Sequence, residues 1–168
     1  FWGEALLCAR LGPSTMDASE GSVEELTRII KRIRLSWPDV EIIIRGDSGF
    51  CREQIMSWCE ENHVGYILGL AKNSRLVEMI KEELVKAEGM HRETGKACRI
   101  YADFYYQTRE SWRCARRVIG KAEFLSKGAN PRFVVTSLSS ESIDGAVLYE
   151  RMYCARGDME NRIKEQQL

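Results

Sequence analysis

No apolar run in the 168 residues approaches the roughly 18 that a membrane-spanning helix needs, and Ala5-Leu6-Leu7 with Cys8 is too short and wrongly flanked for a signal peptide. The expectation is a protein without membrane contact or export. Charge of one sign is also missing: 25 basic and 25 acidic residues leave a formal net charge of zero, so bulk charge argues neither for nor against a nucleic-acid partner. The six cysteines show no CxxC or CxH pairing, which speaks against a zinc module and for reduced thiols. His63 and His91 stand alone, with no partner at ligand spacing. Internal repeats and low-complexity tracts are absent, as are an initiator Met and a helix terminator after Glu160, and the chain reads as an excised fragment.

What remains has the composition of a globular domain, 44% apolar and 30% charged. Ala5 to Leu11 suits a strand. Ser22 with Glu25 matches a capping box, and Val23, Leu26, Ile30 and Ile33 recur at helical spacing, which predicts a helix from Ser22 to Ser36 closed by Pro38. Val40 to Arg45 is short, β-branched and apolar, as a buried strand is, and Gly46-Asp47-Ser48-Gly49 ends it. A helix from about Cys51 to Asn62 and a second buried strand, Gly65 to Leu70, complete a βαβ unit with parallel strands. Asn73 or Ser74 caps a further helix running to about Glu88. The segments 97–106, 116–124 and 132–136 are strand-like and suggest an antiparallel excursion, after which helical spacing resumes from Asp144.

Asp47 falls at the carboxyl end of a central strand, where open α/β sheets place their chemistry. On pattern alone, an Asp beside Gly is as readily a turn residue. Tyr153, Arg156, Glu160 and Lys164 follow at spacings of three, four and four, so they share one helix face. That face offers a carboxylate flanked by cations suited to phosphate, although an ordinary ion-pair ladder has the same spacing. Between Arg109 and Arg132, seven basic residues stand against Glu110 and Glu123. With Tyr105, Tyr106 and Trp112 adjacent, Arg113, Arg116 and Arg117 are candidate DNA contacts; a charged strand edge is the competing reading.

The segments Ile44 to Phe50 and Tyr149 to Glu165, with Gly69 to Leu76 between them, resemble the second-Asp and Glu motifs of bacterial insertion-sequence DDE transposases, in the transposase DDE domain group 1. The resemblance implies an α/β, ribonuclease H-like mixed sheet flanked by helices, with an inserted antiparallel β region before the Glu-bearing helix. It divides the chain into a core portion (1–90), the inserted region (91–142) and a returning helix (143–168). It implies that Asp47 and Glu160 are catalytic and hold Mg²⁺ or Mn²⁺, with two ions in the complete site, and that Tyr153, Arg156 and Lys164 contact DNA. The family Lys is expected at the position of Gln167, so Lys164 would stand one turn nearer. The first Asp is expected upstream of Phe1, which would leave residues 1–168 inactive alone.

By the same resemblance the full-length protein cleaves transposon ends and joins them to target DNA. It is expected to act as a homodimer, in the cytoplasm and associated with the nucleoid. Two alternatives stay open: a ribonuclease H-like nuclease without strand transfer, and a non-catalytic DNA-binding remnant of a decayed transposase.

Overall fold

In the computed structural model, residues 7–8, 17 and 19–154 are described. A six-stranded mixed sheet forms its centre. Helix α1 (Ser22–Ser36) has the predicted limits, but its cap does not follow the capping box. Gly21, in the left-handed region with φ 74°, precedes the helix, and no side chain caps it. Ser22 is already the first helical residue, so its hydroxyl lies past the position from which a cap reaches the third amide.

Strand β1 (Ile43–Gly46) is followed by a 3₁₀ turn (Ser48–Phe50), helix α2 (Glu53–Glu61) and strand β2 (Gly65–Leu70). The two strands are parallel and adjacent, Ile43 opposite Gly65 and Gly46 opposite Leu68, as the βαβ reading requires. β1 begins three residues later than its apolar pattern suggests, because its partner β2 begins at Gly65, whose amide bonds the Ile42 carbonyl. The predicted helix at 73–88 is two helices, α3 (Ser74–Met79) and α4 (Lys81–Thr94). Asn73 caps the first through the Leu76 amide. Ile80, with φ −113° and ψ 22°, breaks the run so that its side chain reaches the core. Gly89 does not end α4; Gly95, at φ 66°, does.

Strands β3 (Cys98–Tyr106), β4 (Arg116–Leu125), β5 (Gly128–Ala129) and β6 (Arg132–Thr136) pair antiparallel, as their sequences suggest. They extend the same sheet: β6 lies antiparallel to β2, and the order across the sheet is β1-β2-β6-β4-β3, with β5 on β4. Asp144 accepts from the Ala146 and Val147 amides and opens a short helix, α5 (Gly145–Val147), which widens into a π-helical turn over Leu148–Tyr153.

Strand alternation divides the core between the two faces of the sheet. On one face Tyr66, Leu68, Val118, Ala122, Phe133 and Val135 pack against Ile30, Ile55, Met56, Cys59, Leu76 and Ile80, which come from α1, α2 and the α3–α4 junction. On the other, Ile67, Ile119 and Val134 meet Leu148 and Tyr149 of the π turn. No helix among the described residues is long and apolar enough to cross a membrane. The expected strand at Ala5 to Leu11, and all residues after Cys154, lie outside the described residues.

Candidate active site

Asp47 directly follows β1 and is half-buried. Its Oδ1 accepts the Gly49 amide at 2.8 Å and thereby caps the 3₁₀ turn. The turn-residue reading is therefore correct as far as it goes. A capping carboxylate held by its own loop is also a fixed one, aimed by the end of the strand.

β2 runs beside this loop and carries Gly69 where a side chain would have no room. A Cβ at Gly69 would meet the Tyr153 hydroxyl at 2.6 Å, the Ser48 amide nitrogen at 3.0 Å and the Asp47 carbonyl carbon at 3.2 Å. The bare backbone of β2 is thus the point over which the Asp47 loop and the Tyr153 side chain come together. Tyr153 also packs against Tyr149, ring centroids 5.5 Å apart, and Tyr149 against Tyr101 at 5.4 Å. That aromatic row seats the π turn on the sheet. From β1, Arg45 donates through Nη1 to the Met152 carbonyl, one residue before Tyr153.

These contacts place the start of the Tyr153-x-x-Arg156-x-x-x-Glu160 pattern against the loop of Asp47. Residues 1–168 match the family model described as transposase DDE domain group 1. The chain belongs to that family. No curated protein sequence matches it significantly. Family membership makes this a transposase-like catalytic domain of a kind that acts on DNA with metal-dependent chemistry.

Of the expected site residues in the transposase domain, Asp47 and Tyr153 are brought together, while Arg156, Glu160 and Lys164 lie outside the described residues. Mg²⁺ and Mn²⁺ take oxygen ligands, and Asp47 supplies that donor type at the expected strand end. Among the described residues it is not joined by two further His, Cys, Asp or Glu side chains at metal-holding distance.

The side chains of Arg113, Arg116 and Arg117, which the sequence offers as DNA contacts, are engaged by groups of the chain itself. Arg116, 3% exposed, bonds Glu53 at 2.7 Å and Glu60 at 2.6 Å on α2. Arg113 reaches Glu60 at 3.2 Å and Glu61 at 2.9 Å. Arg117, also 3% exposed, bonds Asp103 at 2.5 Å and the carbonyls of Leu138 and Ile143. A buried guanidinium needs such partners, since desolvation without them is prohibitive. The hydrogen bonds from Arg116 hold Glu53 below its ordinary range against the pull of burial. Burial would raise Glu60, but Arg116 and Tyr66 outweigh it and hold that carboxyl low as well. Nor do Tyr106 and Trp112 offer faces for bases: both are buried, edge to face at 5.8 Å, and Arg116 lies over the indole. Tyr105 alone of that trio is open, at 66%.

Two residues of the site escaped the sequence reading. Gly69 had a signal, because an isolated Gly inside a buried strand marks a close backbone approach. Arg45, a lone charge ending an apolar strand, had a weaker one.

Proposed function

We propose that the full-length protein is a DNA transposase whose Asp47 and Glu160 carboxylates hold Mg²⁺ or Mn²⁺ at the scissile phosphate. The observation that carries the proposal is the meeting of the Tyr153 hydroxyl with the Asp47–Ser48 peptide over Gly69. On the helical spacing read from the sequence, Glu160 shares the face of Tyr153, which supports its assignment as the partner of Asp47. The fold fits a ribonuclease H-like sheet in which β1 and β2 are the parallel core strands, with β3, β4 and β6 forming the region inserted before the Glu-bearing segment.

When bound, the cations would supply the positive charge that activates a nucleophile and offsets charge on the leaving oxygen. The residues of the chain have the remaining tasks. Asp47, fixed by its capping bond, and Glu160 provide hard oxygen ligands, while Arg156 and Lys164 grip phosphate oxygens, Arg with a two-pronged fork. Water would first attack the phosphodiester at the element end, and the freed 3′ hydroxyl would then attack target DNA. A homodimer would let two element ends be handled together.

Full-length protein incubated with a labelled element end, target plasmid and Mg²⁺ should give cleaved and joined products, and Asp47→Asn or Glu160→Gln should abolish both while DNA binding persists. Robust cleavage by either variant would overturn the assignment. Cleavage without joining would identify a nuclease, and binding without cleavage a remnant.

A further inference from the structure

Arg45 is placed where no structural need for a charge is evident. It lies in β1 opposite Ile67 of the apolar core, on the sheet face covered by the π turn. Its Nε is buried and makes no hydrogen bond, while its Nη1 donates to the carbonyl of Met152. Buried donors without partners are rare, because each forfeits its bonds to water. An apolar side chain beside Ile67 would avoid that cost, and what the guanidinium gains here is the bond to Met152.

That bond has a particular address. Asp47 stands two residues after Arg45, and Tyr153 one residue after Met152. The turn it grips is the wide one, in which the Cys154 amide reaches back five residues to the Tyr149 carbonyl. Wide turns of this kind are uncommon and interrupt helical register, so the direction in which the chain leaves is not set by ordinary helix geometry. A rigid guanidinium anchored in β1 can set it instead.

We propose that Arg45 is a positioning residue: by holding the Met152 carbonyl it fixes the π turn, and with it the Tyr153 side chain, relative to the loop of Asp47. The proposal rests on the reading that Asp47 and Glu160 share a cation. In this role Arg45 acts through Met152 rather than on the phosphate. It acts as outer partners of metal ligands do, whose loss typically weakens metal affinity or activity by about 10- to 100-fold.

The test uses full-length protein and two readouts other than activity: calorimetric titration with Mn²⁺, and hydrogen exchange of the peptide spanning residues 148–154 without metal. Arg45→Met should weaken Mn²⁺ binding by about tenfold or more and speed exchange in that peptide. Arg34→Met is the control, since Arg34 also donates to backbone carbonyls, those of Asn62 and His63, but at the end of α1. It should speed exchange near residue 63 and leave Mn²⁺ binding unchanged. Arg45→Lys, with a flexible ammonium in place of the planar guanidinium, should fall between Arg45→Met and wild type.

Wild-type Mn²⁺ affinity and exchange in Arg45→Met, or an equal loss of affinity in Arg34→Met, would overturn the proposal. Should Arg45→Met not fold, Arg45→Lys decides, with unaltered affinity counting against the proposal. If Asp47→Asn and Glu160→Gln bind Mn²⁺ as wild type does, the shared site itself is wrong, and that failure is distinct from a failure of Arg45 to position it.

Discussion

Replacing Gly69 with alanine adds one methyl group at the point where the site is assembled. Gly69 is not among the glycines with positive φ, so alanine meets no conformational penalty there and the effect is steric. Of the three atoms it meets, the Tyr153 hydroxyl at 2.6 Å is the end of a side chain and can swing away. The Ser48 nitrogen at 3.0 Å and Asp47 carbonyl carbon at 3.2 Å belong to the backbone and can move only with the capped loop. Overpacking of this kind costs about 1–3 kcal/mol. For a protein of this size each kcal/mol lowers the melting temperature by roughly 2–4 °C.

Because one of the displaced atoms is the Tyr153 hydroxyl, Tyr153→Phe should recover part of the loss. The double variant is then less destabilised than the sum of the singles, by at least about 0.5 kcal/mol, the usual threshold for coupled neighbours. Denaturation of the four proteins completes the cycle. Wild-type stability in Gly69→Ala, or strict additivity with Tyr153→Phe, would refute the claim that Tyr153 closes over Gly69.

Asp103→Ala removes the carboxylate from buried Arg117, and the loss of stability should approach, without reaching, the roughly 3–5 kcal/mol of a fully buried pair, because Asp103 keeps 37% side-chain exposure; a loss below about 1 kcal/mol in urea denaturation would count against the pairing. Gly89→Ala should stabilise α4 by about 0.5–1 kcal/mol, since nothing lies within 4 Å of the added carbon, and a lower melting temperature would contradict that geometry. Glu53 and Glu60 are held below their ordinary 4.5 in the folded chain, so their contribution is complete above about that pH and is lost as pH falls through the lower folded values. Melting temperature should therefore drop steeply below pH 4.5, and the drop should be shallower in Glu53→Gln; equal slopes would exclude Glu53 from the effect.

The elements that the sequence made legible are those with local causes. The 3.6-residue repeat of Val23, Leu26, Ile30 and Ile33 delimits α1, and two β-branched runs around a short helix dictate a parallel pair. The turn at Asp47 was legible because Gly46-Asp47-Ser48-Gly49 ends the strand. The ion pairs of the arginines were hidden because counting charges along the chain ignores carboxylates far away in sequence. Glu53 and Glu60 of α2 lie more than fifty residues from Arg116 and take up its charge only in the fold. The break at Ile80 was equally hidden, since α3 and α4 read as one amphipathic repeat until the core claims Ile80. No local pattern announces the π turn at Leu148–Tyr153, whose geometry answers to the aromatic row beneath it and to Arg45.

Metal-specific rescue tests the central claim most directly. In full-length protein, Asp47→Cys and Glu160→Cys exchange a hard oxygen ligand for a thiolate, which Mg²⁺ disfavours and softer cations such as Mn²⁺ accept better. If both side chains hold the cation, each variant should be inactive on a labelled element end in Mg²⁺ and regain cleavage in Mn²⁺, whereas the corresponding alanine variants should stay inactive in both. Cleavage in Mg²⁺ undiminished by either cysteine substitution would contradict the account.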